Sequence, residues 1–124
     1  MAEKLIFYYI PLLIDYIKIY SNTAVVTAII ETLYFFILKN KTKKFLILVF
    51  IVNIFSNITL NIFLSYKYSQ LNILKGEISV IILEYVIFCI FLKPTLKKGT
   101  ILFIETTIAN LISFSTGLLL FNIQ

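Results

Sequence analysis

The feature that most restricts this chain is a glutamate, Glu84, set inside the apolar run Ile78–Leu92, with Glu77 immediately before the run begins. A charged carboxylate at the centre of an apolar helix costs roughly 2.5–3.5 kcal/mol even on a lenient insertion scale, so it must find partners inside the protein. Three further apolar blocks flank this run, and each carries polar residues of its own. The pattern calls for helices that turn their polar groups toward one another and their apolar faces outward.

Composition agrees: 60% of the 124 residues are hydrophobic, and they are gathered into blocks, as in a membrane protein. A chain of this length with several spans has room for one compact helical domain and none for a soluble catalytic domain beside it. The net charge of +5 comes from eleven Lys and no Arg. Most of these lysines fall in two short loops, where they serve orientation in a bilayer. Nucleic-acid binding would want Arg and a contiguous basic face with exposed aromatics, so no nucleic-acid partner is expected. Cys89 is the only cysteine and His is absent, which excludes an intrachain disulfide, a Cys-rich zinc site and His-ligated haem.

Residues 1–20 read as an N-terminal interfacial amphipathic helix. Within residues 4–20, Lys4, Tyr8, Pro11, Asp15 and Lys18 follow one helical stripe, and Ile6, Phe7, Ile10, Leu13, Ile14 and Ile17 cover the rest. Tyr8, Tyr9, Tyr16 and Tyr20 suit the headgroup level. A fifth span over this segment is the competing reading. Residues 21–124 read as a four-span bundle, all-α and polytopic: Asn22–Leu38, starting back near Ile19, then Phe45–Leu64, the Glu84 run, and Gly99–Phe121. The loops between them are Lys39–Lys44, Ser65–Lys75 and Lys93–Lys98. The first and third loops hold seven lysines against four elsewhere. They are expected in the cytoplasm, with both termini outside a cell membrane crossed several times.

Asn53, Asn57 and Asn61 form a polar seam on the second span, and Thr106, Asn110, Ser113 and Gly117 a small-and-polar stripe on the fourth. Counting about 1.5 Å per residue from the nearest loop lysine puts Glu31, Asn53, Glu84 and Glu105 in one layer, about 10–14 Å deep. Asn57, Asn110 and Thr27 fall about 18–20 Å deep, in a second layer. Glu77 belongs near the outer surface. The expected site is therefore an intramembrane carboxylate and amide centre of Glu31, Asn53, Asn57, Glu84, Glu105, Asn110 and Ser113. Such carboxylates are not left as bare charges: a proton or a cation neutralises them. A metal held there, whose identity the residues do not reveal, would be a hard, oxygen-ligated cation such as Na⁺, Ca²⁺, Mg²⁺ or Mn²⁺. No HExxH, nucleophile–His pair or Gly-rich phosphate loop is present. The structural alternative is that the same groups are protonated, hydrogen-bonded glue between helices, or that a Lys reaches in to them from the interface.

Glu31-Thr32 in the first span, Asn53-x-x-x-Asn57 in the second, Glu77 and Glu84 in the third and Ala109-Asn110-x-x-Ser113-x-x-x-Gly117 in the fourth carry a resemblance. Together they resemble a family of small prokaryotic integral membrane proteins with four predicted spans. The second span of that family resembles NLLTNP; here it is NIFSNI, with Ser56 at the Thr position and Ile58 at the Pro position. The resemblance runs from about Thr27 to Leu120, supports the polar positions and implies no activity.

The first functional expectation is a cation- or proton-linked carrier or channel, with Glu31 and Glu84 binding the ion and Asn53, Asn57 and Asn110 shaping its path. Its partners would be the lipid bilayer and further copies of the chain. The second is a non-catalytic subunit or assembly factor that docks on a larger membrane complex through the Asn110–Gly117 stripe. A membrane-embedded carboxylate enzyme, one Glu as base and one as acid, is the third.

Overall fold

The computed structural model describes residues 2–39 and 41–121, with no description of the side chains at 16, 17, 19 and 121. The expectations for Tyr16 and Ile17 therefore fall outside it. The described chain is four helices: α1 (Ala2–Ile37), α2 (Lys43–Tyr66), α3 (Gln70–Leu92) and α4 (Leu96–Phe121). Each packs on its neighbours in sequence, and α4 closes back on α1, while the diagonal pairs keep their backbones apart. Short connections make successive helices antiparallel, so the α1–α2 and α3–α4 turns share one end with the lysines.

The bundle buries a set of polar side chains and turns many of its large apolar ones outward. Ala24, Ala28, Glu31 and Phe35 form the buried stripe of α1, and Asn53, Ser56, Glu84, Thr106, Asn110 and Ser113 are buried on the other helices. Large apolar side chains such as Ile51, Phe55, Ile82, Ile90, Ile104 and Leu111 face outward. That inversion is stable where the surroundings are lipid. Helices α1, α2 and α4 are long and apolar enough to cross a membrane. Helix α3, at 23 residues, has similar length but carries Lys75, Glu77 and Glu84.

The elements are longer than the sequence expectation. Helix α1 runs through residue 20 without a break, so the expected boundary at 20/21 is not a helix end. Ser21, Asn22 and Thr23 look like cap residues, but the Ser21 hydroxyl donates to the Lys18 carbonyl (2.9 Å) and Thr23 to Tyr20 (2.8 Å). A hydroxyl bonded back one turn is satisfied inside a helix and stops nothing. At 36 residues this helix is about 54 Å long, beyond the about 40–45 Å of a bilayer with its headgroups. The expected loop Ser65–Lys75 shrinks to residues 67–69, because Ser69 caps α3 by accepting from the Asn72 amide (3.1 Å). Thr42 caps α2 in the same way through Phe45 (3.2 Å). Lys43 and Lys44 thus open α2, and Lys97 and Lys98 lie in the first turn of α4.

At the lysine end, Phe35, Phe45 and Phe88 meet edge to face with ring centroids 5.2–6.0 Å apart, packed with Val49, Val52, Leu102 and Ala109. This aromatic plug fills the space between α1, α2 and α3 and separates the polar interior from the lysine-rich turns.

Candidate functional site

One turn beyond the plug, four helices contribute to a buried chain of hydrogen bonds. Ser56 on α2 donates to Glu84 Oε1 on α3 (2.8 Å). Asn110 on α4 donates to Glu84 Oε2 (2.7 Å) and lies 3.5 Å from Glu31 Oε2 on α1. Ser113 on α4 donates to Glu31 Oε1 (2.6 Å), and Asn53 on α2 is buried with its amide nitrogen donating to the Val49 carbonyl (3.1 Å). Glu31 is 1% exposed and Glu84 0%, so both carboxyl groups are out of reach of bulk water. Their oxygens, sharing one amide nitrogen, are separated by less than the sum of its two bond lengths.

Each serine has a second acceptor. Ser56 also lies 3.2 Å from the Asn53 carbonyl, and Ser113 lies 3.0 Å from the Asn110 carbonyl. A hydroxyl has one proton to give and lone pairs to receive with. When the carboxyl is ionised the serine donates to it; when the carboxyl is protonated the serine can accept from it and turn its own proton to the backbone. The network therefore suits either charge state of the pair without moving a helix.

Opposite the plug, the ring opens into a cavity of about 500 Å³ lined by all four helices. Asn57, Asn61, Thr23, Thr27, Tyr20 and Tyr68 supply much of its polar wall, with Glu77 on the α3 side and Gly117 on α4. Asn57 and Asn61 spend their NH₂ groups on the carbonyls of Asn53 and Asn57 (2.9 Å each), which leaves their side-chain oxygens as acceptors. Asn110 and Ser113 belong both to the cavity wall and to the carboxyl network, so a species in the cavity touches the groups that hold Glu31 and Glu84.

The expected layer of three carboxylates is corrected to a pair. Glu105 stands apart, its Oε2 paired with Lys41 Nζ at 2.9 Å, and Lys41 rests 5.9 Å from the Phe35 ring and 5.6 Å from the Phe45 ring. Glu105 thus lies on the lysine side of the plug. No three acidic groups converge as a metal cluster among the described residues. The expected second layer also divides: Asn110 joins the carboxyl pair, while Asn57 and Thr27 line the cavity. The small-residue stripe of α4 faces inward, with Thr106, Asn110 and Ser113 buried, and Gly117 meets open space instead of a neighbouring helix. Ser56 is the site residue that spacing missed, although its place three residues after Asn53 put it on the same seam. No family model, curated protein or solved structure matches the chain.

Proposed function

We propose that this chain is a four-span carrier in which Glu31 and Glu84 take up and release a proton or a monovalent cation from the cavity side. The observation that carries the reading is asymmetry: the carboxyl pair is closed from the lysine end by Phe35, Phe45 and Phe88 and opens through Asn110 and Ser113 to the cavity. A site reached from one side only, and able to hold either charge state, is what one half of an alternating-access cycle requires. A cavity of this size fits a small solute, which favours a carrier over a bare ion channel. In this reading α3 spans with the other helices, the lysine-rich turns are cytoplasmic and the cavity opens outside. The subunit reading is the alternative; the burial of Asn110 and Ser113, two residues of the stripe it relied on, weighs against it.

The test is thermal stability of the full chain in detergent across pH and across Na⁺, K⁺ and choline salts, for the parent and for Glu31→Gln and Glu84→Gln. The reading expects a pH- or cation-dependent shift in Tm for the parent and its loss in both variants. A response retained in both would sink it.

A further inference from the structure

Among the described residues, the ionisable side chains around the cavity include carboxyl groups and no basic group. Glu77 lines it and has no hydrogen-bond or ionic partner among the described residues, Glu31 and Glu84 lie behind Asn110 and Ser113, and no lysine is among the lining residues. An anion placed there would meet three carboxyl groups and no counter-charge. A divalent metal ion fits poorly too, because Ca²⁺ takes about six to eight oxygen ligands and no three acidic groups converge among the described residues. Here Ser56, Ser113 and Asn110 already donate hydrogens to the carboxyl oxygens. The remaining wall sets the amide and hydroxyl oxygens of Asn57, Asn61, Thr23 and Thr27 beside an apolar face of Leu60, Leu64, Ile73, Phe114 and Leu118, a mixture that matches an ion carrying an apolar body better than a hydrated inorganic one. Tyr20, Tyr68 and Phe114 add aromatic surface of the kind that receives organic ammonium groups.

On these grounds, and resting on the carrier reading, we infer that the cavity takes a small organic cation, a short-chain alkylammonium whose charged head meets Glu77 and the amide oxygens of Asn57 and Asn61. Its apolar body lies against Leu60, Leu64 and Phe114. The head is compensated by Glu77, so Glu77 positions the ligand while Glu31 and Glu84 answer to the proton. The probe is n-butylammonium, titrated calorimetrically into the full chain in detergent, with butyrate and n-butanol as the anionic and neutral equivalents. Butylammonium should bind and the other two should not, and Glu77→Gln should weaken it by about tenfold or more through loss of a charge-assisted hydrogen bond. Gly117→Leu, introduced where an added carbon meets nothing within 4 Å, should fill the cavity and abolish binding while leaving the fold intact. Equal binding of butyrate or butanol, or an unchanged affinity in Glu77→Gln, overturns the inference. If butylammonium fails to bind while the parent keeps the pH response that Glu84→Gln removes, the substrate class is wrong and the carrier reading stands.

Discussion

At the scale of single residues, the decisive property is that each partner of a buried carboxyl group has somewhere else to turn. Replacing Glu84 with Gln keeps the shape and puts an NH₂ where an oxygen was. Ser56 can accept from that group and donate to the Asn53 carbonyl 3.2 Å away, while the remaining oxygen still receives Asn110. Glu84→Gln should therefore fold, insert and lose no more than about 1 kcal/mol of stability; a variant that cannot be purified folded would show instead that the charge itself holds the bundle. Ser113→Ala removes the 2.6 Å donor to Glu31 and leaves a buried acceptor short of a partner, at a cost of about 1–3 kcal/mol, read as a lower Tm at a pH where Glu31 is ionised. Glu105→Gln is the contrasting case. It breaks the Lys41 pair outside the plug, so the pH or cation response of the parent should survive it unchanged, and loss of that response would return Glu105 to the site.

At the scale of elements, the sequence made the all-helical bundle and the inward-facing polar residues readable, because carboxyl and amide groups in apolar blocks have no other place to go, but it counted the N-terminal segment as a helix of its own where the structure has one continuous α1. It did not make readable which of those groups meet. Counting residues from the lysines measures the depth of a backbone and ignores the tilt of side chains toward their own helix N-terminus. Helices α1 and α3 start at the cavity end, so Glu31 and Glu84 lean away from the lysines. Helix α4 starts at the lysine end, so Glu105 leans up to Lys41, and Asn110 and Ser113, further along the same helix, lean up to the carboxyl pair. Groups assigned equal depth are thereby parted, and groups assigned different depths are joined. The continuity of α1 was hidden for another reason: Pro11, Asp15 and Lys18 interrupt the apolar run of residues 4–20 without ending the helix. The plug itself gives a prediction. Phe88 is fully buried against Phe35 and Phe45, and Phe88→Ala should destabilise by less than the about 3–5 kcal/mol usual for water-soluble cores, since lipid removes much of the transfer term. A melting temperature equal to the parent's would mean that the rings do not pack as a unit.

At the scale of the molecule, a plug, a carboxyl pair and a cavity follow one another along the bundle, with the two lysine-rich turns at one end and the α2–α3 turn at the other. Its orientation is open to direct labelling in a chain whose only native cysteine, Cys89, is replaced by Ala. Cysteines at Lys43 and Lys97, both exposed at the lysine end, should be shielded from an impermeant thiol reagent outside intact cells, and one at Gln70 should react. Labelling at all three positions would refute the four-span arrangement. The central claim is that Glu31 and Glu84 change charge in place, and the measurement that reaches it most directly is infrared difference spectroscopy of the carboxyl groups, taken on the full chain in lipid bilayers as pH is stepped. The account predicts a protonated-carboxyl band that responds to pH, is diminished in Glu31→Gln and in Glu84→Gln, and is retained in Glu105→Gln. A carboxyl signal from this pair that stays constant over the whole pH range in which the protein remains folded would contradict it and leave the two glutamates as fixed ties between helices.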